Sequence, residues 1–205
     1  MARLLLVRHG ETEFNASRRF MGHSDIELSP HGRRQIESLR GYMAGEKIAA
    51  AYASDLQRCM LTARLLTAGR DLEVTACPEL RETNYGVCEG LTFGEIGQQY
   101  PDIARQCINF TPELAFPEGE AFLKFADRVI GFLERVKGLD RQDSVLVVSH
   151  NGPIKVLICH LLGISQEHWW QVRVDPASLS IMDITPRGGM LARLNDVAHL
   201  ADIKP

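Results

Sequence analysis

The sequence lacks any apolar run approaching the roughly 20 residues of a membrane span, so no membrane partner is expected. It also lacks a surplus of positive charge. With 23 Lys and Arg against 26 Asp and Glu, the formal net charge is −3. No basic field covers the molecule, nucleic acid is not an expected partner, and any anion must be caught by a local cluster of cations. Cysteines are few and scattered: Cys59, Cys77, Cys88, Cys107 and Cys159 offer no pair at the short spacing of a zinc knuckle or redox motif. Reduced, mostly buried thiols and a cytoplasmic location are the expectation. Met1 to Val7 is too short for a secretory leader, and cleavage of a longer one would remove the motif at Arg8. Internal repeats and low-complexity tracts are absent too. What is present is ordinary. Hydrophobic residues make up 45% of 205 residues, enough to bury a core without disulfides or structural metal, and one domain over 1–205 is expected.

The hydrophobic pattern alternates short apolar runs with helical periodicity. Leu4 to Val7, Ile48 to Ala53 and Ser144 to Val148 read as buried strands, and Leu72 to Thr75 as a further short one. Ser29-Pro30 reads as a helix start, with Ile36, Leu39 and Met43 at helical spacing and Gly45 as the stop. Ser54 is expected to cap a helix running to about Gly69. Phe122, Phe125, Val129, Phe132, Leu133 and Val136 form the cleanest amphipathic pattern, closed by Gly138. An apolar helix follows Gly152 as far as Gly163, and Ser178 to Ile184 and Leu191 to Leu194 resemble a closing strand pair that could run antiparallel. Strands alternating with helices predict a three-layer α/β/α fold with a mostly parallel central sheet. Residues 77–120, punctuated by Pro and Gly, read as an irregular lid or pocket wall with one short helix near Thr92 to Tyr100.

Three of the strands end in polar groups: Arg8-His9-Gly10, Ser54-Asp55-Leu56-Gln57-Arg58 and His150-Asn151-Gly152. Ligands of open α/β sheets bind outside the carboxyl ends of the strands. If these three strands are neighbours, two histidines and two arginines converge. Two guanidiniums disfavour a metal cation and suit a phosphate, which arginine grips with paired hydrogen bonds. Helix N-termini after Ser54 and Gly152 would add backbone N–H donors. A neutral imidazole is a competent nucleophile toward phosphorus. An acid is also needed, and Glu11, Glu82 and Glu89 all qualify by residue type. A histidine after a strand is more often a packed residue than a catalyst, so the constellation carries the argument and no single residue does.

The stretch Leu4-Leu5-Leu6-Val7-Arg8-His9-Gly10-Glu11-Thr12 resembles the signature of the histidine phosphatase superfamily, the group that includes cofactor-dependent phosphoglycerate mutases. The resemblance continues in order through Asn15, Gly22, Asp25, Ser29, Ala53 to Arg58, Leu80-Arg81-Glu82, Glu89, Glu120, Arg128, Val147 to His150 and Leu194 to Asp196. It implies a phosphoglycerate mutase-like fold and an enzyme with no metal or organic cofactor. By resemblance His9 is the residue that becomes phosphorylated, Arg8, Arg58 and His150 are its phosphate-binding companions, Glu82 is the proton donor and acceptor, and Asn15 touches the substrate phosphate. Asn151 and Gly152 are candidate substrate-binding positions beside them. Three positions depart from the common family pattern: Met21, Cys88 and Asn151. Met21 falls at the substrate rim and puts transfer of specificity in doubt.

Phosphatases and mutases share the phosphohistidine and differ in what accepts the phosphoryl group. Mutases of this family carry a longer middle insertion rich in basic residues, whereas Leu91 to Glu118 here has Arg105 as its only lysine or arginine. The expectation is therefore a metal-independent phosphomonoesterase acting on a small phosphorylated metabolite. In size and terminal segments the chain looks like the bacterial α-ribazole phosphatases, which makes α-ribazole 5'-phosphate a candidate substrate. The alternatives are a phosphoglycerate mutase and a non-catalytic phosphate-binding regulator. His23, His31, His160, His168 and His199 are read as lying outside the catalytic set, and the Trp169-Trp170 pair as core in preference to the lining of a surface groove or subunit contact. The chain could be a monomer or a homodimer.

Overall fold

A computed structural model describes residues 2–110, 113–136 and 144–203. In chain order the elements are β1 (Ala2–Arg8), α1 (Glu13–Ala16), α2 (Pro30–Tyr42), β2 (Ile48–Ala53), α3 (Gln57–Thr67) and β3 (Val74–Ala76), then α4 (Phe93–Gln99), α5 (Pro101–Asn109), α6 (Phe122–Gly131) and α7 (Leu133–Val136), and finally β4 (Ser144–Ser149), α8 (Asn151–Leu162), β5 (Leu179–Thr185) and β6 (Gly188–Asp196).

The six strands form one sheet in the order β3-β2-β4-β1-β5-β6. β1 to β4 pair in parallel, and β5 and β6 close one side antiparallel. The central strands are apolar on both faces because both faces are covered. Leu4, Leu6, Val145 and Val147 face a core shared with α6 and α8, while Leu5, Val7, Leu146 and Val148 face a second core shared with α2 and α3. The arrangement is the expected α/β sandwich of three layers.

Local chemistry sets most helix ends where the sequence places them. Ser29 accepts a hydrogen bond from Gly32 N at 3.0 Å with Pro30 in the first turn. α8 ends at Gly163, whose φ of +68° is the left-handed conformation that glycine adopts without strain. Three expectations need correction. Residues 77–120 are less irregular than expected, because Pro101 opens α5 at a first-turn position, where proline costs no helical hydrogen bond, and so does not end the helical stretch. Ser54 does not cap α3. The Gln57 N–H is instead taken by Asp25 Oδ1 at 2.7 Å from the preceding loop. The tryptophan pair is not core, since Trp170 is 66% exposed. Gly138 lies outside the described residues.

The order β2-β4-β1 decides where the chemistry sits. Arg8 pairs with Ser149, and Ala53 with Val148. The ladder runs one residue further at each end, with His9 N donating to Ser149 O and Ser54 N to Val148 O, both at 3.0 Å. His9, Ser54 and His150 are thereby set side by side along the carboxyl edge of the sheet.

Candidate active site

His9 and His150 are buried, with ring centroids 5.1 Å apart at 66°. His9 Nδ1 stands 2.7 Å from Gly10 O. A carbonyl can only accept, so Nδ1 carries the proton and Nε2 keeps its lone pair. Burial holds the His9 pKa well below the ordinary histidine value, and the charges of Arg58 and Arg8 depress it further. The imidazole is thus neutral at neutral pH. His150 has the opposite tautomer. Its Nδ1 accepts from Arg58 Nε at 3.2 Å, so its Nε2–H donates to Ser54 Oγ at 2.9 Å. Burial, then Arg58 and His9, hold its pKa well below the ordinary value too.

Arg58 is completely buried on the first turn of α3. Its Nη1 and Nη2 donate to Ser24 O and Gly22 O, each at 2.7 Å. Those two carbonyls are fixed by Glu89, whose carboxylate accepts from the N–H groups of Gly22, His23, Ser24 and Tyr85 and from the Ser24 hydroxyl at 2.6–3.2 Å. Glu89 therefore braces the loop that aims Arg58. Glu11 is a brace as well, accepting from Ser29 Oγ at 3.3 Å. Arg8 donates through Nη1 to Val174 O at 2.7 Å, and its Nε is buried with no partner among the described residues. Burial lowers the pKa of both arginines. Both nevertheless stay charged, because guanidinium holds its proton far above neutral pH. Two desolvated cations therefore stand beside His9, which favours an anion at that point.

Glu82 is the buried carboxyl of the site. Its Oε2 accepts from Gly152 N and its Oε1 from Thr83 N, each at 3.0 Å. Burial raises its pKa against the lowering effect of those two bonds and of Arg8 and Arg58. Asn15 accepts through Oδ1 from the N–H and hydroxyl of Thr12, both at 3.1 Å, which leaves its NH₂ as the free donor. Arg8, His9, Asn15, Glu82 and Asn151 line one cavity of about 300 Å³, with Met21 on its wall.

One of the N–H donors expected from each helix start is occupied: Asp25 takes that of Gln57 on α3, and Glu82 takes that of Gly152 on α8. An alanine Cβ at residue 152 would collide with Glu82 Oε1 and press on the Phe125 ring, so glycine there lets the carboxyl lie against the helix end. Sequence reasoning missed Arg18, which lines the cavity from a left-handed backbone at φ +54°, and Phe20 and Tyr85, which border it. No motif marks these three. No group of three or more His, Cys, Asp and Glu is arranged to hold a metal ion among the described residues.

Comparison with known proteins identifies the family. The model of the histidine phosphatase superfamily (branch 1) matches residues 4–197. Phosphoserine phosphatase 1 of Hydrogenobacter thermophilus is 32% identical over 202 residues, covering 98% of this chain and 96% of its own. The adenosylcobalamin/α-ribazole phosphatase of Escherichia coli K12 is 33% identical over 196 residues, covering 96% and 97%. Among solved structures, the α-ribazole phosphatase of Shigella flexneri superposes with a TM-score of 0.88 at 31% identity, covering 95% of this chain and 96% of that one. The chain belongs to the histidine phosphatase superfamily, branch 1, and its reaction class is that of a phosphoric monoester hydrolase.

Proposed function

We propose that the protein hydrolyses small phosphomonoesters through a phosphohistidine at His9, without a metal. The observation that supports this most is the neutral His9 Nε2, free to attack, beside two desolvated guanidiniums and in one cavity with a buried carboxyl. In the first step the Nε2 lone pair forms the N–P bond, the ester P–O bond breaks, and Glu82 gives its proton to the departing alkoxide. In the second, water attacks phosphorus, Glu82 takes its proton, and the N–P bond breaks to release phosphate. Arg8 and Arg58 stabilise the charge on the equatorial oxygens, and His150 joins them when its Nε2–H turns from Ser54 to the phosphoryl group. Asn15 and Asn151 orient the phosphoryl group. Gly152 acts through Glu82. Hydrolysis is favoured over mutase chemistry because the only cation of residues 91–118, Arg105, is exposed and paired with Asp102. Among the relatives' substrates, α-ribazole 5'-phosphate is the one we propose to try first.

The test is phosphate release from a panel of monoesters in excess chelator, combined with rapid quenching and peptide mapping. An acid-labile phosphoryl group on the peptide carrying His9 is expected. Release that needs added metal would overturn the reading. Isomerisation of 3-phosphoglycerate faster than its hydrolysis would replace it with the mutase. Gly152→Ala tests the placement of the acid. Displacing Glu82 by a fraction of an ångström to an ångström is expected to cost roughly 10²-fold in kcat, with affinity for inorganic phosphate retained. An unchanged kcat would mean that the contact with Gly152 does not set the position of the acid.

A further inference from the structure

Beside the phosphate cavity lies a larger one of about 550 Å³, and Phe20, Tyr85 and Asn151 line both. Its walls are aromatic. Phe110 meets Phe122 edge-on at 4.7 Å, and Trp169 lies 5.3 Å from Phe110 and 5.1 Å from Phe122. Phe20 packs on Tyr85 at 5.0 Å where the two cavities join. Trp170 and Ile108 line the same cavity while 66% and 70% exposed, so two large apolar side chains wait uncovered at its edge. Most of this wall comes from residues 77–120, α6 and the segment after α8.

One cation is set into this apolar surface. Lys155 is one turn beyond Asn151 on α8 and is half-buried, with its ammonium 5.5 Å from the centre of the Trp169 ring. It has no hydrogen-bond or ion-pair partner among the described residues beyond that ring, and burial lowers its pKa. The ammonium is partly desolvated and lines the cavity, so it can donate to an acceptor on a ligand seated there. Glu167 also lines the cavity, and its negative charge disfavours an anionic ligand group there.

We propose that this cavity is the leaving-group subsite of the phosphatase, and that it selects esters whose alcohol carries a flat aromatic ring bearing a neutral hydrogen-bond acceptor that meets Lys155. The proposal rests on the phosphomonoesterase reading above. An ester as small and polar as phosphoserine would leave the aromatic walls and Lys155 without partners. A ring joined to the phosphate by a short linker would pass over the Phe20–Tyr85 pair, which lines both cavities, and reach the aromatic walls and Lys155.

Four esters with similar alkoxide leaving groups separate the contributions: ethyl phosphate, phosphoserine, naphthylethyl phosphate and quinolinylethyl phosphate. Naphthylethyl phosphate is expected to exceed ethyl phosphate in kcat/KM by roughly 10- to 100-fold, the worth of burying one aromatic side chain. Trp169→Ala should cut that preference about 10-fold, with Trp170→Ala as a second variant at an exposed position. The quinoline nitrogen should add about 10-fold over naphthalene, and Lys155→Met should abolish that increment. Binding of naphthylethylphosphonate and ethylphosphonate, measured by calorimetry, reads the subsite independently of turnover. Equal affinity for the two phosphonates and equal kcat/KM for their esters would overturn the subsite and leave the phosphatase standing. Aromatic-selective phosphonate binding without hydrolysis of any ester would overturn the phosphatase reading while upholding the binding site.

Discussion

Alanine at His9 is expected to lower kcat/KM for every monoester by a factor on the order of 10⁶, as loss of a covalent nucleophile does elsewhere. That corresponds to about 8 kcal/mol of transition-state stabilisation. The size follows from what the imidazole alone supplies. Its Nε2 is held at the carboxyl end of β1 by the backbone bond to Ser149 and by the Nδ1–H bond to Gly10, so attack needs no search. Water entering the vacated space would have neither that placement nor the splitting of one hard step into two. The anion cradle should survive, because Arg8 and Arg58 are anchored to Val174, Gly22 and Ser24 and not to His9. Inorganic phosphate should therefore still raise the melting temperature of the variant, by an amount equivalent to about 2.7 kcal/mol at a hundredfold excess over Kd. A variant that keeps a hundredth of wild-type activity would show that His9 is not the nucleophile. One that loses phosphate protection as well would show that the ring is needed to form the cradle.

The central strands and the ends that carry Arg8, His9 and His150 were legible in the sequence for a simple reason. β1 and β4 are covered on both faces, so they read as unbroken apolar runs that stop where the polar site begins. That β2, β4 and β1 are neighbours was a supposition, because strand order depends on how crossovers pack and leaves no local mark. The choice among three glutamates was likewise closed to residue type. Glu89 and Glu11 brace loops with their carboxylates, while Glu82 alone lines the cavity with a raised pKa, and these differences exist only after folding. Pro101 and Ser54 misled for a related reason: each has two common roles, and tertiary partners chose between them. Pro101 begins a helix that its neighbours extend. Ser54 faces His150 and leaves the cap to Asp25. The aromatic cavity was legible only as a pocket wall over residues 77–120, since its rings come from stretches of chain as far apart as Phe20 and Trp170.

Glutamine at Glu82 should reveal both halves of the reaction, because the same carboxyl is asked to give a proton and then to take one. For alkyl monoesters, kcat/KM is expected to fall by about 10²–10⁴-fold, the usual worth of general acid catalysis. For p-nitrophenyl phosphate it should fall much less, since that leaving group departs as a stable anion. The second step is common to all esters and still lacks its base. The variant should therefore release one equivalent of nitrophenol in a burst and then turn over slowly, with phosphohistidine accumulating. The pH profile separates the two groups further. Burial raises the Glu82 pKa, so the acid form persists above the ordinary carboxyl range and is lost as pH rises through that raised value. His9 is held well below the ordinary histidine pKa, so the neutral nucleophile is lost only as pH falls through that lowered value. Wild-type kcat/KM for an alkyl ester should thus be bell-shaped, with Glu82 on the alkaline limb and His9 on the acid limb. The variant should lose the Glu82 alkaline limb and keep the acid one. Equal losses for alkyl and nitrophenyl esters, with no burst, would mean that Glu82 holds the site in shape and transfers no proton.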